Sequence, residues 1–244
     1  MKIKLIAGPC AVESKEQALR IAEAVHQAGA DYYRGGIFKP RSNPAAFQGL
    51  GEEGVEILNH VRAIMPVVSE ATQEGNVDIV SQCADVIQIG SRNMHNAGLL
   101  RAAGKTGKAV MIKRGYAALI REEWLMAIGY VKDGGGGDIW MCERGIRTFE
   151  TLTRNTLDLS AIGGVKRLYD YPVIIDPSHA TGDPDLVVPF ALAGIAAGCD
   201  GVMIEVHDNP PVAKCDGHQA LTIKQFREAI PLMRRVAEAV GRWL

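Results

Sequence analysis

Short apolar runs alternate with longer amphipathic stretches from one end of the chain to the other. This alternation restricts the fold more than any other feature. The runs fall near residues 3–7, 32–34, 66–69, 86–89, 109–112, 138–141, 173–175 and 201–204. Helix-like stretches lie between them, among them 16–28, 54–64, 122–131 and 185–197, and a last one near 223–240 closes the series. Strands separated by helical crossovers build a parallel sheet. Eight strand–helix units in 244 residues suit a closed (β/α)8 TIM barrel, a single α/β domain over 1–244. An open doubly wound sheet is the alternative. No linker, charge block or low-complexity segment marks off a second domain.

Composition narrows the classes of function. At 47% hydrophobic, a chain this long can bury a full core without staples. A net charge of −1 gives no reason to expect nucleic acid or an anionic membrane as a partner. No apolar run is long enough to span a bilayer, and no signal peptide is recognisable. Five cysteines, widely spaced and without a CxxC pair, argue against a disulfide framework or a zinc ribbon. A reducing cytoplasm is the default location. Residues 134–137 are four consecutive glycines, a composition that can cradle phosphate. They follow a helix and precede a strand, however, whereas a phosphate loop follows a strand and opens a helix. The reading is a flexible turn at the N-terminal end of the barrel, away from where active sites form.

The C-terminal ends of barrel strands carry the chemistry. After the first run comes Cys10, just past a Gly-Pro that stops the strand. Successive strand ends then offer Arg34, Lys39 and Arg41; Glu70; Arg92 and Asn93; Lys113 and Arg114; Glu143, Arg144 and Arg147; Asp176 and His179; and Glu205, His207 and Asp216. Two groups emerge. Arg34, Lys39, Arg41, Arg92, Lys113 and Arg144 place cations on one rim of a nearly neutral protein. Guanidinium forks and lysine charge suit phosphate and carboxylate, so the substrate should carry several negative charges. Cys10, His179, Glu205 and Asp216 form a mixed soft and hard donor set, which suits a divalent transition metal better than magnesium or calcium. These four come from strands 1, 7 and 8, which are neighbours if the barrel closes. Singly, each has a plainer reading: Cys10 a buried hydrophobe, His179 a hydrogen-bonded core histidine, Glu205 a partner for an arginine, Asp216 the cap of a turn before Gly217.

The stretches "AGPCAVES", "RGGIFKPRS", "FQGLGEEGV", "VIQIGSRNMHN", "KRGYAA", "CERGIRTFE", "NTLDLSA", "DPSHATG" and "GVMIEVHDNPPVAKCDGHQAL" together resemble the 3-deoxy-D-arabino-heptulosonate 7-phosphate (DAHP) synthases. The similarity runs in order from residue 6 to about 230. It is greatest to the branch related to the octulosonate 8-phosphate synthases, whose barrel occurs alone or fused to small regulatory domains. The resemblance implies a TIM barrel and a homo-oligomer, dimer or tetramer. It implies the first step of the shikimate pathway to aromatic amino acids, in which phosphoenolpyruvate condenses with erythrose 4-phosphate and phosphate is released.

The resemblance further implies that Cys10, His179, Glu205 and Asp216 hold one divalent metal ion (Mn, Fe, Co or Zn). It implies that Arg92, Lys113 and Arg144 receive phosphoenolpyruvate, with Arg34, Lys39 and Glu70 close by. Lys39, Pro40, Arg41 and Ser42 then receive erythrose 4-phosphate. Lys39 is expected to give a proton to the developing alkoxide of the sugar, and Glu70 or a metal-bound water to assist addition of water. The similar octulosonate 8-phosphate synthases, which take arabinose 5-phosphate, typically show an Asn-Arg version at this motif, so "KPRS" favours the four-carbon sugar. A Schiff-base barrel aldolase using Lys113 is the more distant alternative. Few residues flank the expected barrel, so no regulatory domain and no response to aromatic amino acids, prephenate or chorismate is expected.

Overall fold

A computed structural model describes residues 1–244. The barrel strands are β1 (Lys4–Gly8), β2 (Tyr32–Arg34), β3 (Val67–Ala71), β4 (Val86–Ile89), β5 (Ala109–Lys113), β6 (Ile139–Glu143), β7 (Val173–Ile175) and β8 (Gly201–His207). Each pairs with the next in parallel, and β1 pairs with β8 from Lys4↔Gly201 to Gly8↔Glu205. The sheet is therefore closed, as the alternation predicts, and the open doubly wound alternative does not hold.

The helices on the outside are α1 (Lys15–Ala28), α2 (Glu53–Arg62), α3 (Val77–Cys83), α4 (Ala97–Lys105), α5 (Leu125–Asp133) and α6 (Ser160–Leu168). They are followed by a short α7 (Pro177–Thr181), α8 (Pro184–Ala196) and α9 (Ile223–Ala239). Local chemistry sets their ends. Ser14 accepts from the Gln17 N–H to start α1, and Gly29 ends it in the left-handed conformation. Thr222 and Gln225 cap each other at the start of α9. A two-residue strand, β9 (Leu221–Thr222), extends the end of β8 just before α9.

Period-two alternation sorts the strand residues into two faces. Leu5, Ala7, Ile87, Ile89, Val110, Ile112, Val202 and Ile204 face the helices and join the large outer core. Ile6, Val68, Val86, Met111, Trp140, Cys142, Ile174 and Met203 form a separate cluster that fills the barrel. Two residues further along the same inward faces come Glu70, Gln88, Lys113, Arg144, Asp176 and Glu205, all buried. The strand period thus lays a polar layer directly over a dry one.

The opposite end is held by a repeated device. Asp31, Asp85 and Asp200, just ahead of β2, β4 and β8, each accept a backbone N–H of the preceding or neighbouring strand at 2.9 Å: those of Leu5, Val67 and Val173. Each also pairs with a cation: Lys2, Arg62, or Lys166 together with Arg242.

Residues 134–137 join α5 to β6 at this same end, as expected. They are not all slack, however. A Cβ on Gly134 would lie 2.2 Å from the Arg101 carbonyl oxygen of α4, and one on Gly104 would lie 2.1 Å from that of Val131. Glycine lets the backbones of α4 and α5 touch at Gly134, so the turn begins as a packing site, while at Gly135 nothing lies within 4 Å of a Cβ. No helix is long and apolar enough to cross a membrane.

Candidate active site

Both groups singled out at the strand ends, the six cations and the four metal-type donors, line or border one cleft of about 320 Å³ at the C-terminal mouth. Its wall holds Arg34, Lys39, Pro40, Arg41, Ser42, Glu70, Arg92, Lys113, Arg144, His179 and Asp216. Cys10 and Glu205 lie beneath them, in contact with His179.

One side of the cleft gathers donors. Asp176 ends β7 and caps α7, accepting the His179 N–H at 3.0 Å. The same carboxylate lies 2.9 Å from His179 Nδ1, which fixes the ring and leaves Nε2 facing the cleft. Nε2 lies 3.7 Å from Cys10 Sγ, 3.6 Å from Glu205 Oε2 and 3.9 Å from Asp216 Oδ2. Cys10 Sγ is 2.9 Å from Asp216 Oδ2. Donor atoms of the four residues lie within 4.8 Å of one another. Four ligands at roughly 2.0–2.3 Å from one ion stand roughly 3.3–3.8 Å apart, so the group fits a divalent transition metal in both spacing and donor type. A histidine whose second ring nitrogen meets a carboxylate is the usual arrangement around such an ion.

The electrostatics separate Cys10 from the other cysteines. A hydrogen bond from the Cys215 thiol, with the Lys39 ammonium and Arg34 guanidinium close by, holds the Cys10 thiol well below the ordinary range despite burial. Burial pushes Cys83 up to about 11, and Cys142 and Cys199 up to about 12. Thiolate is the form that binds metal, so only Cys10 of these four is prepared for it. Burial, with the Cys10 charge beside it, pushes the Glu205 carboxyl well above its ordinary range. Burial also acts to raise Asp176, but His179 and Lys113 hold it well below the usual carboxylate range.

The other side gathers cations. Seven lysines and arginines line the cleft against two acids. The six expected cations do converge, but they are not six free charges. Lys113 Nζ lies 2.5 Å from Asp176, Arg34 is 3.7 Å from Glu205, and Lys39 is 2.9 Å from Cys10 Sγ and 3.7 Å from Glu70. Desolvation works against the Lys39 ammonium, yet Cys10 and Glu70 raise it above the ordinary range. Arg144, Arg92 and Arg41 have no carboxylate partner. Burial lowers the Arg144 guanidinium, which stacks 4.8 Å from the Tyr116 ring centroid with its Nη1 buried and unpartnered. Arg92 donates to the Pro40 carbonyl at 3.1 Å and so ties β4 to the Lys39–Ser42 segment.

Five strand-end residues do not line the cleft. Asn93 donates to the Thr72 carbonyl at 3.0 Å, and Arg147 lies 5.0 Å from the centroid of the Tyr116 ring on which Arg144 also stacks. Arg114 and Glu143 pair at 3.0 Å in the wall, with Asp158 at 2.8 Å from Arg114. His207 turns to α1, where its ring lies 2.9 Å from Gln17 Nε2. Sequence reading passed over Gln88, Tyr116, Arg154 and Gln219. Gln88 was findable, because it is the inward residue two beyond Val86. Arg154 and Gln219 lie in irregular connections, where no period marks a facing side.

The family model described as "DAHP synthetase I family" matches residues 1–242. A Thermotoga maritima protein named phospho-2-dehydro-3-deoxyheptonate aldolase is 44% identical over 239 residues, 97% of this chain and 70% of that one. A Koribacter versatilis 2-dehydro-3-deoxyphosphooctonate aldolase is 32% identical over 264 residues, covering 98% of this chain and 92% of its own. The crystal structure of the Thermotoga maritima DAHP synthase superposes with a TM-score of 0.95 at 43% identity, over 99% of this chain and 71% of that one. With a strand order, a cleft and a family match that all agree, the chain belongs to the DAHP synthetase I family.

Proposed function

We propose that the protein condenses phosphoenolpyruvate with erythrose 4-phosphate and water, giving 3-deoxy-D-arabino-heptulosonate 7-phosphate and inorganic phosphate, with one divalent metal held by Cys10, His179, Glu205 and Asp216. The observation that carries this reading is the juxtaposition in one cleft of that donor set with a wall of cations. The greater identity to the heptonate enzyme than to the octonate enzyme supports the four-carbon sugar.

Arg92, Lys113 and Arg144 hold the carboxylate and phosphate of phosphoenolpyruvate, and Arg34 stands between them and the donor set. The Lys39–Ser42 segment receives the sugar phosphate, with Arg41 supplying the fork. When bound, the metal supplies a Lewis acid that polarises the sugar aldehyde. Lys39 Nζ, lying between Cys10 and Glu70, carries the proton that passes to the aldehyde oxygen as C3 of phosphoenolpyruvate attacks. Positive charge develops at C2, where water adds. Glu70, held by Gln88 Nε2 at 3.1 Å, is placed to take the proton of that water. Arg144 and Lys113 then stabilise the phosphate as it leaves. In the Schiff-base alternative Lys113 attacks a carbonyl as a free amine. Here it is closed against the Asp176 carboxylate.

The test is to incubate metal-loaded protein with phosphoenolpyruvate and either sugar phosphate, with and without chelator, while following phosphate release. Release with erythrose 4-phosphate that stops with chelator is expected. Faster release with arabinose 5-phosphate, activity that survives full metal removal, or trapping of protein by borohydride would each overturn the reading.

A further inference from the structure

Asp216 is the one non-glycine residue with a left-handed backbone, φ 52°. It comes from an irregular connection between β8 and β9, so something other than a strand must aim its carboxylate. Such conformations persist when the surroundings over-determine them. Cys10, His179 and the Cys215 thiol meet one oxygen of that carboxylate; the other faces a cation, Arg154, in the connection between β6 and α6. Its Nη1 lies 3.6 Å from Asp216 Oδ1, while Oδ2 of the same carboxylate faces Cys10 and His179. That Nη1 also donates to Gln219 Oε1 at 2.8 Å. Gln219 is fully buried, and its Nε2 donates to Glu205 Oε2 at 2.8 Å. One guanidinium thus reaches both acidic donors, Asp216 directly and Glu205 through an amide with both ends engaged.

The backbone around Arg154 is pinned to the third donor. Its N–H meets the Thr181 carbonyl at 2.9 Å, the Asn155 N–H meets that of Ala180 at 2.7 Å, and Asn155 Nδ2 reaches that of His179 at 3.4 Å. Close approach makes this possible, since a Cβ on Gly182 would lie 2.7 Å from Arg154 Cβ.

We propose that Arg154 is a positioning residue for the metal centre: with Gln219 it fixes the orientation of the Asp216 and Glu205 carboxylates and so sets the affinity of the site for its divalent ion. This rests on the metal reading of the four donors. Outer partners of metal ligands are worth 10–100-fold in affinity. The guanidinium matters to the proposal, because both contacts run from Nη1, whose two N–H groups point in fixed directions, and a lysine retains the charge beside Asp216 without that fixed geometry. The Arg154 side chain is a third exposed, so its ion pair contributes little to stability; Arg154→Ala also strips the buried Gln219 oxygen of a donor, whereas Arg154→Lys keeps a donor there and should move metal affinity with little change in melting.

The experiment titrates metal-free protein with Co²⁺ in the absence of substrate. It follows the thiolate-to-cobalt and d–d absorption, and it measures the melting temperature of each metal-free protein. The wild type is expected to bind one equivalent. Arg154→Ala and Gln219→Leu should each weaken binding roughly 10–100-fold with altered d–d bands, and Arg154→Lys should fall between. The double variant should lose less than the product of the single losses, because both act on Glu205 through one chain. Wild-type Co²⁺ affinity and spectrum in Arg154→Lys and Gln219→Leu would overturn the proposal, even if Arg154→Ala failed to fold. A raised KM for phosphoenolpyruvate with unchanged Co²⁺ affinity would also overturn it, making Arg154 a substrate ligand. If the wild type bound no Co²⁺, the metal reading would fall first and this inference with it.

Discussion

The two ends of the barrel treat their polar groups in opposite ways. At the N-terminal end, Asp31, Asp85 and Asp200 each meet a strand N–H and at least one cation. Of five buried side-chain polar atoms without a hydrogen-bond partner, three, Arg34 Nη1, Gln88 Oε1 and Arg144 Nη1, belong to residues that line the cleft at the C-terminal end; the other two are Tyr33 Oη and Ser69 Oγ. An unpartnered buried polar atom costs about 1–3 kcal/mol. Such atoms are retained where a ligand supplies the missing partner, and they mark functional rather than structural sites. The same sheet is finished for stability at one end and left open for ligands at the other, with guanidinium N–H groups free for an anion and an amide oxygen free for a donor. Substitutions at the two ends should therefore separate cleanly into those that change turnover and those that change melting.

The largest effect is expected at Cys10. Serine keeps the size but is a poor transition-metal ligand. A Lewis acid contributes several kcal/mol to such a reaction, so turnover of Cys10→Ser should fall by at least about 10³-fold. Melting of the metal-free protein should hardly change. Near-wild-type kcat in the metal-reconstituted variant would remove Cys10 from the site.

Asp200→Ala is the counterpart at the far end. Asp200 is 4% exposed and accepts from Val173 N–H, Lys166 and Arg242. Removing one member of a buried charge pair costs about 3 kcal/mol, which in a chain this long lowers the melting temperature by roughly 6–12 °C. Both kcat and the KM values should stay within about twofold below the melting range, since breaking this pair leaves about 1–3 kcal/mol of unmet polar groups at the far end only. A loss of kcat without a loss of stability would erase the distinction between the ends.

How far the sequence foretells this arrangement depends on periodicity. The strands are legible because each is short, apolar and followed by a helix, and their boundaries in the structure move by no more than three residues. Lys113, Glu70 and Glu205 are legible because each lies two residues beyond an inward apolar side chain, Met111, Val68 and Met203. Cys10 stands out because Gly-Pro ends its strand. The pairing of Lys113 with Asp176, and of Lys39 with Cys10, is not legible, because it depends on how far neighbouring strands are staggered around the barrel. That stagger turns six expected free cations into three matched ones and three open ones. Arg154 and Gln219 escape for a different reason: they act across two loops 65 positions apart in the chain. The four glycines mislead in the opposite direction, since composition alone cannot distinguish a loose turn from a close helix contact.

The smallest expected effect is at Arg41, and it resolves the mouth itself into two halves. The guanidinium makes one hydrogen bond, a long one of 3.4 Å to the Lys214 carbonyl, in a partly exposed position. Its removal should leave the melting temperature within about 1 °C, because a weak, solvated contact contributes little. The cost should appear only when a sugar phosphate needs the fork. A charged hydrogen bond is worth about 1.5–3 kcal/mol, and partial exposure places this one at the lower limit. Arg41→Ala is therefore expected to raise the KM for erythrose 4-phosphate about tenfold. The KM for phosphoenolpyruvate, which the proposed reading assigns to Arg92, Lys113 and Arg144, should stay within about twofold, less than about 0.5 kcal/mol. Steady-state kinetics with each substrate varied in turn decides the matter. Equal rises in both constants would mean that Arg41 serves a field shared by the whole cleft, and the division of the mouth into a sugar half and an enolpyruvate half would have to be abandoned.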